Sequence, residues 1–156
     1  MNQIIKYCAF IVSAVLLPAC ASIAGDQKSD IATGFEVESF VFADTAFVKA
    51  YAVETDNEII VIDAGFSPAH VAQIKQHADA QGKPITRVLI THGHIDHYAG
   101  AYSLVKSVDQ LVSSAGGAKQ IKDFDAVNYA RFGLPAPTGS RVPGTILDNG
   151  EEIIID

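Results

Sequence analysis

From Gly34 onward the chain alternates short apolar runs with stretches in which apolar residues recur at helical spacing. Gly34–Phe42 and Ala46–Thr55 are rich in Val, Phe and Tyr, side chains that pack well on a pleated surface, and are expected to be strands. Asp56-Asn57 is a tight-turn signal, and Glu58–Asp63 follows as a third strand. Ser67 offers a helix cap with Pro68 at the first helical position. Val71, Ile74 and Ala78 mark one face of that helix, and Gly82 closes it. Arg87–Ile90 reads as a strand buried on both faces. A second helix is expected to start near Tyr98, with Ala101, Leu104, Val105 and Val108 at i, i+3, i+4 and i+7.

Further on, Gln110–Ser113 is expected as a strand and Ala118–Lys122 as part of a short helix. Phe132–Gly144 holds three Pro and three Gly and reads as a loop. Asn149-Gly150 is expected to open a hairpin into a strand over Glu151–Asp156. Hairpins followed by strand–helix units predict an α/β (α+β) fold, a mixed sheet with packed helices. The last apolar run needs a partner strand, so the sequence is expected to be the first part of a longer domain occupying 34–156.

The first stretch follows different rules. Met1–Lys6 carries one positive charge, Tyr7–Leu17 is apolar apart from one Ser, and small residues follow at Ala19, Cys20 and Ala21. That pattern describes a signal peptide over residues 1–21 and an exported, periplasmic protein. Leu17-Pro18-Ala19-Cys20 also resembles a bacterial lipobox, which would end the signal at residue 19 and make Cys20 a lipid anchor. Residues 22–33 are small and polar, as expected of a tether. Either cleavage removes Cys8 and excludes an internal disulfide. With 156 residues, 49% hydrophobic and 19% charged, the chain suits one globular domain rather than a disordered one. Its formal charge of −7 repels phosphate backbones, which argues against a nucleic-acid partner.

The candidate chemistry sits in Thr91-His92-Gly93-His94-Ile95-Asp96-His97, where three of the five histidines fall within six residues. The loop leaves the carboxyl end of the Arg87–Ile90 strand, where open α/β sheets place ligand sites. Imidazole and carboxylate donors suit Zn²⁺ and similar metals. Side chains two apart on a near-extended loop point the same way, so His92 and His94 can converge on one ion. Asp96 and His97 can face a second, and Gly93 lets the loop curl.

H-x-H-x-D-H between a short apolar strand and a helix resembles the signature of the metallo-β-lactamase superfamily. Val61-Ile62-Asp63-Ala64-Gly65, some thirty residues earlier, is similar to another of its segments. The resemblance implies the first half of an αββα sandwich. It implies two divalent metal ions, Zn²⁺ with iron or manganese as alternatives, held by His92 and His94 and by Asp96 and His97. Asp63 would orient a ligand histidine. A water ionised between the metals would attack an ester, lactone, thioester, β-lactam or sulfate ester of a small-molecule substrate. Asp96 would have the catalytic role of orienting that nucleophile.

Two protein ligands per ion fall short of the three that catalytic zinc usually takes. The resemblance places the rest, two histidines and a bridging aspartate, in a second half, and no His follows His97. Two expectations follow: an exported binuclear hydrolase whose sequence continues, or a truncated, non-catalytic metal-binding relic. His70 and His77, seven apart on one helix face, are expected at the surface. Tyr98 either lines the pocket or packs in the core. Arg131 and Arg141 are expected to be solvated loop charges.

Overall fold

The structure, a computed structural model, describes residues 34–45, 47–135, 138 and 141–153. The leader and tether expected over residues 1–33 lie outside them, as do the last three residues of the expected terminal strand. Among the described residues, six strands form one sheet in chain order: β1 (Glu36–Phe42), β2 (Val48–Glu54), β3 (Ile59–Ile62), β4 (Ile85–Ile90), β5 (Leu111–Ser114) and β6 (Thr145–Leu147). β1, β2 and β3 pair antiparallel, and β3 to β6 pair parallel. The expected mixed sheet is therefore present.

Local chemistry makes the connections. Thr55 Oγ1 accepts the backbone N–H groups of Asn57 at 3.3 Å and Glu58 at 3.1 Å, which folds the β2–β3 turn. Helix α1 (Pro68–Gln81) starts where Ser67 accepts the His70 N–H at 3.3 Å. It stops at Gly82, whose φ of 66° is the left-handed turn that glycine adopts without a Cβ clash. Helix α3 (Ala115–Arg131) is capped in the same way by Ser114, which accepts the Gly117 N–H at 3.1 Å.

Ile59, Val61, Val88 and Leu111 of the sheet close one core with Ile74 of α1 and Ile121 of α3. Burying each of these side chains contributes about 1.5–3 kcal/mol before entropy is counted. The other face of the sheet is apolar as well: Ile60, alternating with Ile59 and Val61, is buried outside that cluster, as is Val112. Helices on one face and a second apolar face describe the first half of an αββα sandwich. Among the described residues, no helix is long and apolar enough to cross a membrane.

Three expectations change. The helix expected from Tyr98 onward is one turn, α2 (Ile95–Tyr98), followed by 3-10 turns at Ala101–Ser103 and Val108–Gln110. Ala101 and Leu104 are buried as the periodicity required. Ser107 breaks the helix, however, by accepting the Asp109 N–H and forming a capping box with Gln110. The short helix at Ala118–Lys122 is instead the 17-residue α3. Its inward face carries Gly117 and Asp125 beside Ile121 and Tyr129, so the apolar stripe was diluted. Finally, Asp148 and Glu151 do form the expected turn, with Glu151 N–H to Asp148 O at 3.1 Å, but no strand covers Glu151–Ile153. The strand there, β6, precedes the turn and lies parallel to β5.

Candidate metal centre

The loop between β4 and α2 carries His92 and His94, α2 itself carries Asp96 and His97, and Asp63 holds this corner from the neighbouring strand. Asp63 follows β3 directly, is 5% exposed and has a left-handed φ of 55°. Aspartate tolerates that region better than most residues. Its backbone N–H donates to Leu89 O at 2.8 Å, which locks the two parallel strand ends together. Its carboxylate then accepts the Thr91 N–H at 2.9 Å, the Thr91 hydroxyl at 2.8 Å and His97 Nδ1 at 2.7 Å. Behind it the Ala64 N–H donates to His97 O at 2.8 Å, tying α2 to the same corner.

These bonds set the tautomers. A carboxylate only accepts, so His97 carries a proton on Nδ1 and presents the Nε2 lone pair when neutral. The single hydroxyl proton of Thr91 goes to Asp63, so Thr91 Oγ1 accepts at 3.0 Å from His92 Nδ1. His92 therefore also presents Nε2. Its ring centroid lies 4.5 Å from that of His94 and 4.1 Å from that of His97. Partial burial, then the neighbouring His97 and His94, lower the pKa of His92 below the ordinary imidazole value. The hydrogen bond to Asp63 raises that of His97.

The structure thus brings His92, His94 and His97 together with Asp63 behind them, and puts Asp96, half-buried, in the first turn of α2. Among the described residues, no group of three or more His, Cys, Asp or Glu side chains is already arranged as a metal-ligand set. The donor chemistry nevertheless fits a divalent ion, since two imidazoles present Nε2 and the Asp96 carboxylate follows in the first turn of α2.

Other candidates fall elsewhere. His70 is not a surface residue: it is 1% exposed and stacks on Phe42 at 3.9 Å. Its Nδ1 accepts the Phe66 N–H at 3.3 Å and its Nε2 binds Asp44 at 2.8 Å. His77 is half-buried and pairs with Glu54 at 2.7 Å. Both faced solvent in the sequence reading because the partners of α1 lie on β2 and the β1–β2 turn. Tyr98 is a core residue, fully buried, with its hydroxyl on Asp125 at 2.9 Å. Arg141 is not a solvated loop charge either. It pairs with Asp125 and lies 4.6 Å over the Tyr129 ring. Arg131 is exposed, 6.0 Å from the Phe132 ring. The sequence reading missed Gln120, whose Oε1 accepts the Gly93 N–H at 2.9 Å, and no local signal links residues 27 apart.

A family model described as the metallo-beta-lactamase superfamily matches residues 43–153. The chain is 38% identical over 72 residues to the uncharacterized protein YobT of Bacillus subtilis, covering 46% of this chain and 28% of that one. It is 31% identical over 97 residues to a UPF0173 metal-dependent hydrolase of Roseobacter denitrificans, covering 62% and 39%. Among solved structures, a beta-lactamase domain protein from Burkholderia ambifaria aligns with a TM-score of 0.53 at 24% identity, over 81% of this chain and 44% of that one. A Cronobacter sakazakii metallo-beta-lactamase with an HARLDQ motif aligns with a TM-score of 0.53 at 23% identity, over 69% and 42%. Both structural likenesses are of fold, and the chain spans less than half the length of each of these four proteins. The family match takes in the whole histidine loop with the strands on either side of it, and the chain belongs to the metallo-beta-lactamase superfamily.

Proposed function

We propose that this chain supplies metal ligands of a divalent-metal-dependent hydrolase, with His92 and His94 on one ion and Asp96 and His97 on a second. The observation that carries the reading is the Asp63–His97 hydrogen bond of 2.7 Å. A carboxylate on Nδ1 fixes the ring and directs Nε2 away from the protein scaffold, as is usual for ligand histidines. Thr91 does the same for His92. Imidazole and carboxylate donors suit Zn²⁺, with iron and manganese as alternatives. Such ions, when bound, supply Lewis acidity to a water and to the bond under attack. In this reading Asp96 orients the attacking water, and Asp63 keeps the Nδ1 proton of His97 in place throughout.

The bond cleaved is an ester, lactone, thioester, β-lactam or sulfate ester of a small molecule. Hydrolysis by a metal-dependent relative, the Roseobacter protein, supports the reaction class. The basic, apolar and small-residue succession over residues 1–21 supports export, with Cys20 as a lipid attachment point.

The test is metal content and turnover of the full chain. Purified protein is expected to retain zinc, iron or manganese and to lose it in His92→Ala. Hydrolysis of chromogenic esters and lactams is expected to disappear in Asp96→Asn. Protein without any of these metals, unaffected by His92→Ala, overturns the reading. Metal retained without turnover would instead favour a binding module.

A further inference from the structure

Helix α3 touches the histidine loop at successive turns. A Cβ placed on Gly117 would stand 3.6 Å from His92 Cα. Three residues on, Gln120 Oε1 accepts the Gly93 N–H at 2.9 Å. Further along, Asp125 accepts the Tyr98 hydroxyl at 2.9 Å, just after His97. The contact at Gln120 falls between His92 and His94. A Cβ on Gly93 would lie 2.3 Å from Gln120 Cβ and 3.0 Å from the Ile121 backbone nitrogen, so the loop backbone is pressed onto the helix. Gly93 is buried, and a buried N–H needs a partner.

We propose that Gln120 is a positioning residue for the His92–His94 pair, acting through the Gly93 peptide rather than through either imidazole. Both histidines branch from the neighbours of Gly93, so the orientation of that peptide sets the angle between their side chains. With Gln120 as acceptor, the peptide is held on a long helix rather than by the loop alone. Without it, the Gly93 N–H rotates toward water and takes both histidines out of register. The inference rests on the metal-hydrolase reading above.

The experiment compares wild type, Gln120→Ala and Gln120→Glu in the full chain. Gln120 is exposed, so neither substitution opens a core cavity. In the metal-free protein, hydrogen exchange at the Gly93 amide is expected to be slow in wild type, faster in Gln120→Ala and slow again in Gln120→Glu, which keeps the acceptor. Zn²⁺ affinity, measured by competition with a chelator, is expected to fall about 10-fold in Gln120→Ala and to recover in Gln120→Glu. Unchanged exchange, or unchanged affinity with only a lower melting temperature, overturns the inference. Wild type that binds none of Zn²⁺, iron and manganese while still protecting the Gly93 amide overturns the hydrolase reading, and Gln120 then serves the loop without serving a metal.

Discussion

Asp63 and His97, 34 residues apart in sequence, meet at 2.7 Å because β3 and β4 are parallel neighbours that end at the same edge of the sheet. Asp63→Asn removes the charged acceptor while keeping the shape of the side chain. Zn²⁺ binding is expected to weaken about 10–100-fold, as measured by chelator competition. Circular dichroism is expected to be unchanged. Equal affinity in the two proteins would show that Asp63 does not act on the metal site.

Tyr98, Tyr102 and Tyr129 surround Asp125 and Arg141, and burial is the largest cause of their raised pKa values. Tyr129 is pushed up to about 12. Below the ordinary phenol value of about 10, all three are neutral in both folded and unfolded chains. Above it the unfolded chain gives up protons that the folded chain keeps, so stability falls as pH rises. The urea midpoint is expected to hold up to about pH 10 and to drop towards pH 12. Phenolate absorbance of these residues should appear together with unfolding, and its appearance in the folded protein near pH 10 would contradict the burial argument.

Asp125 is the hub of that cluster, accepting from Tyr98 and pairing with Arg141. Tyr98→Phe removes one hydrogen bond and is expected to cost about 1–3 kcal/mol, because the carboxylate stays buried. Asp125→Ala takes away the carboxylate from a nearly buried guanidinium and is expected to cost on the order of 3–5 kcal/mol. Chemical denaturation of the two variants tests the order, and an equal cost would show that the ion pair adds nothing beyond the hydroxyl bond.

Gly34 and Gly65 both have left-handed backbones, at φ 57° and 64°. A Cβ on Gly34 meets nothing within 4 Å, whereas one on Gly65 would fall 2.4 Å from His70 Nδ1. Gly34→Ala is therefore expected to cost only the backbone strain, about 1–2 kcal/mol. Gly65→Ala adds overpacking of about 1–3 kcal/mol against a buried ring. Melting temperatures of the pair would show whether the two losses separate in this way.

The strands up to β4 and the helix α1 could be read from the chain because their signals are local. Alternation, a Ser-Pro start and a glycine stop act within a few residues, as Ser67 and Gly82 do. The spacing of His92, His94, Asp96 and His97 is equally local, and so is the strand before it. The extent of α3 was not legible, because its inward face is completed by Asp125, a residue that is stable there only through Tyr98 and Arg141. His70 was misjudged for the same reason: its partners, Asp44 and Phe42, arrive from the β1–β2 hairpin.

The amino-acid order by itself determined where the strands up to β4 and helix α1 lie, and that His92, His94, Asp96 and His97 follow one another after β4. Only the tertiary structure decided which nitrogen His92 and His97 present, since that depends on Asp63 arriving from the end of another strand. It also decided that β6 adds to the parallel edge, and that Gly93 is held by Gln120. Those contacts join residues about 25 to 35 positions apart, and a side chain carries no mark of a partner that only folding brings within hydrogen-bond reach.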